Sequence, residues 1–346
     1  MLIKEKQKFT FPTFFWPLVA YSGLSLVSVA FSVNPKVSLR DSKELLLFIL
    51  VPLIYTSFQK AENLKKVNLA LLASAYISSI YSVYLYIFKT QYWQRVSGFM
   101  GQPMTQAGLF LLFSCLALSM FLFYRHRIRY WWGAGFLLSL FSITFTLARS
   151  SWLGLVLAAS LILLLYKPKT LIVVPVAICL FILTSSEFKK ERVLSIFSLK
   201  NKSNLERIEY IKAGLKIIKD YPIFGTGPDT VDMVFKDPKY GLSEEAKKNV
   251  HLHNNILQTA AERGIPTLIA WFAFLILLTL ALIKLLKNKD STLLTFTVAA
   301  LAAVIGLFTA GLFEYNFADS EITALFLYMI TVPFSLSRIQ EKTAST

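Results

Sequence analysis

Runs of apolar residues separated by short polar breaks recur from one end of this chain to the other. Ten are candidate membrane spans: about 13–33, 43–58, 67–88, 104–124, 130–148, 151–166, 170–185, 266–286, 292–313 and 321–337. Several reach the roughly 18 uncharged residues that a helix needs to cross a bilayer. The second and seventh are short, and each contains a proline, Pro52 and Pro175, expected to kink it. One hydrophilic stretch, 186–265, interrupts the series. The pattern predicts an all-α fold, a polytopic transmembrane helical bundle of about ten spans with one long outer loop containing short amphipathic helices. The chain then divides into 1–185 (spans one to seven), 186–265 (the outer loop, expected to carry the chemistry) and 266–346 (spans eight to ten and a tail).

Composition agrees with the pattern. Of 346 residues, 55% are hydrophobic and 16% charged, too apolar for a soluble domain of this size. The first run follows Lys4, Lys6 and Lys8 and lacks a small-residue cleavage site, so it is expected to be a retained span. Cys115 and Cys179 fall inside apolar runs and carry no disulfide signal. The net charge of +16 is scattered between spans, which argues against nucleic acid as a partner. With the N-terminus placed inside, sixteen Lys and Arg fall on inner segments and six on the short outer loops: Lys36, Arg40, Lys43, Lys89, Arg95 and Arg149. The last outer loop is acidic, with Glu314, Asp319 and Glu321. The asymmetry puts both termini in the cytoplasm and 186–265 on the outer face of the membrane.

The outer segment holds the candidate chemistry. Ser203-Asn204-Leu205-Glu206 reads as a capping box opening a helix that runs to about residue 220. Leu205, Ile208, Ile211, Leu215 and Ile218 form one apolar arc, with Lys212, Lys216 and Lys219 beside it. Arg207 projects on the expected docking side next to Gly214, where an anion beneath it or lipid headgroups would each account for it. Pro222-Ile223-Phe224-Gly225-Thr226-Gly227-Pro228 makes a tight turn, whose backbone either simply turns or cradles a phosphate. Residues 254–263 suit a short helix stopped by Gly264, with Pro266 opening the next span. His251 and His253 diverge on a helix and share a face only on a strand. With three histidines in the chain and His126 on the inner side, no metal site is expected. An imidazole suits proton abstraction from a hydroxyl, and a headgroup-facing histidine is the plain alternative. Arg149 interrupts an otherwise uncharged stretch, 131–166, at an outer hairpin, with Ser150 and Ser151 available to cap the next helix. Arg149, Arg207 and His253 thus fall on one side of the membrane, a set suited to a diphosphate ligand.

These residues resemble the O-antigen ligase/polymerase family of bacterial envelope glycosyltransferases. The family hallmark is His followed by Asn, Ser or Gln, then nine residues, then Gly-x-x and Gly, Thr or Tyr. His253-Asn254, residues 255–263, and Gly264-Ile265-Pro266-Thr267 match it completely. Arg149-Ser150-Ser151-Trp152-Leu153 meets the family's Arg with Leu four residues on. Arg207 followed by Pro222-Ile223-Phe224-Gly225-Thr226-Gly227 meets its Arg before a Pro-x-x-Gly-x-Gly turn, and Arg95-Val96-Ser97-Gly98-Phe99 is similar to its upstream pattern. Family members commonly carry more spans at the N-terminal side than the ten found here.

The resemblance implies a metal-independent, inverting glycosyltransferase of the bacterial inner membrane, needing no cofactor, with its site on the periplasmic face. It would move a glycan from an undecaprenyl-diphosphate carrier to an acceptor hydroxyl such as lipid A-core, as an O-antigen ligase. His253 would be the general base, with Arg149 and Arg207 holding the diphosphate. Arg95, His251, Asn254, Gln258, Glu262 and Glu314 are secondary candidates, and Glu314 or Asp319 can orient an imidazole or serve as an alternative base. An O-antigen polymerase joining carrier-linked repeats performs the same step on another acceptor. A lipid or glycan transporter would show ionisable residues at the midplane and internal repeats, and neither is apparent.

Overall fold

The computed structural model describes residues 11–57, 61–91, 94–196, 198 and 200–344. Lys4, Lys6, Lys8 and Lys60, used in the charge count, lie outside them. Among the described residues the fold is all-α, with no strand.

The first half comprises α1 (Phe15–Ala30), α2 (Pro35–Asp41), α3 (Leu50–Ser57), α4 (Ala61–Phe88), α5 (Pro103–Phe123), α6 (Arg129–Phe145) and α7 (Arg149–Tyr166). Then come α8 (Val173–Thr184) and three helices of the hydrophilic segment, α9 (Glu187–Leu194), α10 (Lys202–Asp220) and α11 (Val231–Phe235). The chain returns to the bundle in α12 (Asn255–Leu285), α13 (Ser291–Gly311) and α14 (Ser320–Ala344). Six helices are long and apolar enough to cross a membrane: α4, α5, α7, α12, α13 and α14. Phe15–Ala30 and Pro168–Thr184 are shorter apolar segments. Every one of the ten apolar runs is helical, which makes this a multi-pass membrane protein.

The two runs with prolines are composite. Each begins as a 3₁₀ stretch, Ser42–Ile49 and Pro168–Ile172, and becomes α-helical only at α3 and α8. Pro52 and Pro175 are the third residues of those α-helices, directly after the switch from 3₁₀ to α.

At the centre, α13 packs against α5, α7, α12 and α14. Its sequence explains this position. Ala299, Ala300, Ala302, Ala303, Gly306 and Ala310 give it a narrow profile, and small residues let helices approach where lipid supplies no hydrophobic drive. Gly154 of α7 lies directly on Gly306, where a Cβ at Gly154 would fall on the Gly306 carbonyl oxygen.

The hydrophilic segment caps one end of the bundle. A small core of its own, built on Tyr210, Ile217, Val231, Phe235 and Tyr240, closes over Leu252 and Ala261. Hydrogen bonds tie it to the turns at that end. Val33 N–H donates to Thr226 O (2.9 Å), Ser38 Oγ to Pro228 O (2.7 Å), and Arg192 to Leu147 O (3.4 Å). The loops that charge asymmetry assigns to one face therefore do share one end of the molecule.

Two local expectations fail here. The arc Leu205, Ile208, Ile211 and Leu215 is exposed. What α10 buries is Tyr210, Ala213, Gly214 and Ile217, because Gly214 lets α10 settle on Leu252 and Leu257 while Tyr210 donates to Ala246 O (3.0 Å). The capping box is also absent. The N-cap is Asn201, without a side-chain cap, because the Ser203 hydroxyl serves two arginines instead.

Replacing Gly154 by Leu is expected to destabilise the protein by about 1–3 kcal/mol through overpacking against backbone, read as a lower Tm in detergent. Gly23→Ala, where nothing lies within 4 Å of the added Cβ, should leave Tm unchanged.

Candidate active site

The site is assembled from four turns at the capped end. The first is 146–149, between α6 and α7. Leu147 adopts φ 52°, a left-handed conformation that a branched residue adopts only under constraint. This turn directs Thr146 O to Arg95 Nε (2.9 Å) and Leu147 O to Arg192, and releases Arg149 as the first residue of α7. The N-cap is Ala148, whose N–H donates to Thr146 Oγ1 (3.3 Å), so Ser150 and Ser151 do not cap the helix.

Arg149 is buried, 7% exposed, and held entirely by neutral groups. Nη1 donates to Ser195 O and Oγ (2.9 Å each), and Nη2 to Ser203 Oγ (3.2 Å) and Asn204 Oδ1 (3.0 Å). Asn204 Nδ2 in turn donates to Ser195 O and Ser198 O (2.8 and 2.9 Å), shaping the loop around the guanidinium. Arg207, one turn further along α10, donates from Nη1 to the same Ser203 hydroxyl (3.1 Å). Its Nε and Nη2 clasp Phe313 O (3.2 Å each).

The residue after Phe313 is Glu314, which accepts from His253 Nδ1 at 2.9 Å. His253 sits at φ 49° directly before the N-cap Asn254. Its ring lies 5.5 Å from that of Tyr210 and keeps 25% side-chain exposure. With Nδ1–H facing the carboxylate, the neutral tautomer leaves a lone pair on Nε2. Burial would raise the Glu314 carboxyl, but the hydrogen bond from His253, with the charges of Arg207 and Arg95, holds it below the ordinary carboxylate range. Asp319 behaves oppositely. Burial lifts it to about 6 despite a bond from Thr105 Oγ1, and it makes no contact with His253 among the described residues.

Arg149, Arg207 and His253 are therefore linked through one shared hydroxyl and one Phe313–Glu314 peptide. Arg95 joins them across the 146–149 turn. So does Arg192, which sequence reasoning did not single out because it lies within the charge-rich run Glu187–Leu194. None of these four arginines forms a salt bridge among the described residues. Burial, then Arg192, push Arg95 down to about 10, while burial and Arg207 lower Arg192. The half-buried Arg95, Arg192 and Arg207 and the buried Arg149 give this end a strongly positive field suited to an anion, and Glu314 lies within reach of the charges of Arg207 and Arg95.

The other secondary candidates lie around this centre. Asn254 caps α12, its Oδ1 accepting from Ile256 and Leu257 N–H (2.9 and 3.0 Å) and its Nδ2 donating to Leu312 O (2.9 Å). His251 packs edge-on to Tyr315, and burial, then His253, lower its pKa. Gln258 Oε1 accepts Leu252 N–H (2.7 Å) inside the protein. Glu262 is buried against Arg263 (3.1 Å), which also reaches Asp41 (3.0 Å) and Tyr315 Oη (3.2 Å), away from His253.

The glycine turn has a structural role. α12 breaks at Gly264 (φ 82°), and Pro266 offers no N–H to Glu262 O. The turn makes good the loss: Thr226 N–H donates to Ala261 O, Gly227 N–H to Glu262 O (2.8 Å each), and Ile265 N–H to Pro222 O (2.9 Å). Thr267 Oγ1 donates to Arg263 O (2.7 Å). Added Cβ atoms at Gly225 and Gly264 would collide with Glu262 and Ile223 backbone. Those two N–H groups are engaged within the protein, so the turn is not a phosphate cradle.

Since its folded pKa is depressed, ionised Glu314 adds stability that is complete above about pH 4.5 and lost as pH falls through the lower folded value. The Tm gap between wild type and Glu314→Gln is expected to be widest above that pH and to close below it, measured by thermal unfolding in detergent. An unchanged gap would remove the ionised pairing.

Residues 134–272 match the family model described as O-Antigen ligase. The matched region runs from α6 into α12 and holds Arg149, Arg192, Arg207, His253 and Gly264, whereas Arg95 and Glu314 lie outside it. Over 164 residues the chain is 29% identical to an uncharacterized protein of Haemophilus influenzae. That match covers 42% of this chain and 40% of the relative's length.

Proposed function

We propose that this chain, whose residues 134–272 match the O-Antigen ligase family model, is an inverting glycosyltransferase. Its donor is a glycan on an undecaprenyl-diphosphate carrier and its acceptor a glycolipid hydroxyl such as that of lipid A-core. The site faces the periplasm from a bacterial inner membrane, with both termini in the cytoplasm. Residues 186–265 supply most of the chemistry, flanked by the spans of 1–185 and 266–346.

The observation that carries this reading is the short path joining three separated segments. His253 Nδ1 meets Glu314 at 2.9 Å, Arg207 holds the adjoining Phe313 carbonyl at 3.2 Å, and Arg207 and Arg149 share Ser203 Oγ at 3.1 and 3.2 Å. In this mechanism Glu314 fixes the imidazole so that Nε2 accepts the proton of the acceptor hydroxyl. The freed oxygen attacks the anomeric carbon while the bond from that carbon to the diphosphate breaks. The electron pair leaves with the diphosphate, whose charge Arg149 and Arg207 stabilise, with Arg95 and Arg192 adding to the field. A single displacement inverts the anomeric configuration. The leaving group needs charge neutralisation more than a proton, which suits guanidiniums better than a general acid.

Purified protein given carrier-linked glycan and lipid A-core is expected to transfer glycan, and His253→Ala to lose about 10²–10⁴-fold of that rate while still inserting. Near wild-type turnover by His253→Ala would eliminate the mechanism. Product formed only with a second carrier-linked glycan would identify a polymerase.

Arg149→Ala and Arg207→Ala should each slow transfer by about 10²–10³-fold, the scale of removing one charge-stabilising donor. The Lys variants should recover only part of it, since a point charge cannot reproduce the guanidinium fork. Full recovery by Lys, measured in the same assay, would count against bidentate contact.

A further inference from the structure

α10 presents an apolar stripe that the protein leaves uncovered. Ile208, Ile211 and Leu215 are 37%, 44% and 58% exposed, although the helix buries a different face. At about 100° per residue, the surroundings of α10 follow a definite order. Arg207 and Gly214 lie on the side that touches the bundle end, at Phe313, Leu252 and Leu257. The stripe of Ile211, Leu215 and Ile208 comes next. Lys219, Lys212 and Lys216 follow, and beyond them Glu209 accepts from Ser243 in the hydrophilic cap (2.8 Å). The apolar stripe thus adjoins the transmembrane bundle, and lysines separate it from the cap.

A second exposed apolar surface precedes it in the chain. α8, which leads through α9 into α10, is apolar along its whole length and exposes Leu180 and Leu183. A helix with an apolar stripe, lysines on one flank and a place at the end of a membrane bundle has the design of an in-plane interfacial helix. Its lysine stems would lie along the acyl region while the ammonium groups reach anionic headgroups.

We propose that α10 lies in the membrane–water interface, with Ile208, Ile211 and Leu215 among the acyl chains and Lys212, Lys216 and Lys219 on anionic lipid headgroups. Arg207, on the opposite flank of the stripe, is thereby fixed at headgroup depth. The consequence that the arginine cluster meets the diphosphate of a carrier still anchored in the bilayer rests on the function proposed above. The depth of α10 does not.

The test uses the full chain in a Cys179→Ser background, since Cys179 is exposed and Cys115 buried. An environment-sensitive fluorophore is attached at Ile208→Cys, Leu215→Cys and, as a control in the cap, Glu244→Cys, whose native side chain is 83% exposed. Protein is reconstituted in phosphatidylcholine vesicles with and without phosphatidylglycerol, containing nitroxide-labelled lipids. Labels at 208 and 215 are expected to be quenched by the lipid nitroxides at a depth of roughly 5–10 Å, and the label at 244 by aqueous iodide alone. Labels at 208 and 215 behaving like that at 244 would overturn the proposal. Shielding of both from lipid and water alike would do so too, since protein would then cover the stripe. Lys212→Gln combined with Lys216→Gln and Lys219→Gln should make the 215 label shallower only with phosphatidylglycerol present; the same depth in both lipids would remove the headgroup contact. Because depth is read without turnover, the result holds or fails separately from the activity of the His253 and arginine variants.

Discussion

Everything at the capped end depends on one requirement: a helix broken at a membrane boundary must have its freed backbone groups bonded again. α12 starts at Asn255 and breaks at Gly264, where Ile265 N–H turns to Pro222 O and Pro266 has no N–H, so the carbonyls of Ala261 and Glu262 lose their helical partners. Each finds a donor in the glycine turn, Thr226 and Gly227, while the Thr267 hydroxyl adds a bond to Arg263 O within α12. An unbonded carbonyl at this depth would be far more costly than in water. The hallmark His253-Asn254…Gly264-x-x-Thr267 is thus largely a specification for a helix with a defined start and a defined break. Asn254 provides the cap, Gly264 the turn and Thr267 the closing hydroxyl. His253 is carried on the strained residue just before the cap, so its position is set by the whole arrangement.

The same end separates two kinds of charge. Arg263 is buried with Asp41, Glu262 and Tyr315 around it, a compensated cluster that ties α2 to α12 and to the turn before α14. Arg95, Arg149, Arg192 and Arg207 bond to carbonyls, hydroxyls and an amide, with no carboxylate at salt-bridge distance among the described residues. Neutral acceptors orient a guanidinium without cancelling its field. The first cluster holds structure together, while the second leaves its positive charge uncompensated, which is what the proposed diphosphate contact requires. Glu314 belongs to neither fully. It is close enough to Arg207 and Arg95 to stay ionised despite burial, and its hydrogen bond goes to the imidazole.

Much of the site was legible because its residues are chemically out of place. A charge in a run as apolar as 131–166 is conspicuous, and so is a polar motif directly before an apolar span. Arg192 gave no such signal among Lys189, Lys190 and Glu191, and only the Leu147 carbonyl brings it in. Gln258 and Glu262 satisfy the same polarity argument as His253, yet they point into the protein, one to the Leu252 amide and the other to Arg263. For α10, the most apolar arc was expected to dock. The helix docks through Tyr210 and Gly214 instead, because a phenol with two hydrogen-bonding neighbours and a glycine admitting Leu252 make the closer fit.

What the sequence determined by itself was the all-helical class, the ten apolar helical runs, the long hydrophilic segment and the motif residues. Hydropathy and spacing are local properties, and the bilayer restricts the answer to helices whose length can be read directly. Tertiary structure alone decided that Ser203 bridges two arginines, that Glu314 rather than Asp319 meets His253, and that the glycine turn bonds to α12 instead of to a ligand. Those choices depend on which donor reaches which acceptor across segments up to 61 residues apart. No one-dimensional pattern records such a distance, because it is set by how the helices pack.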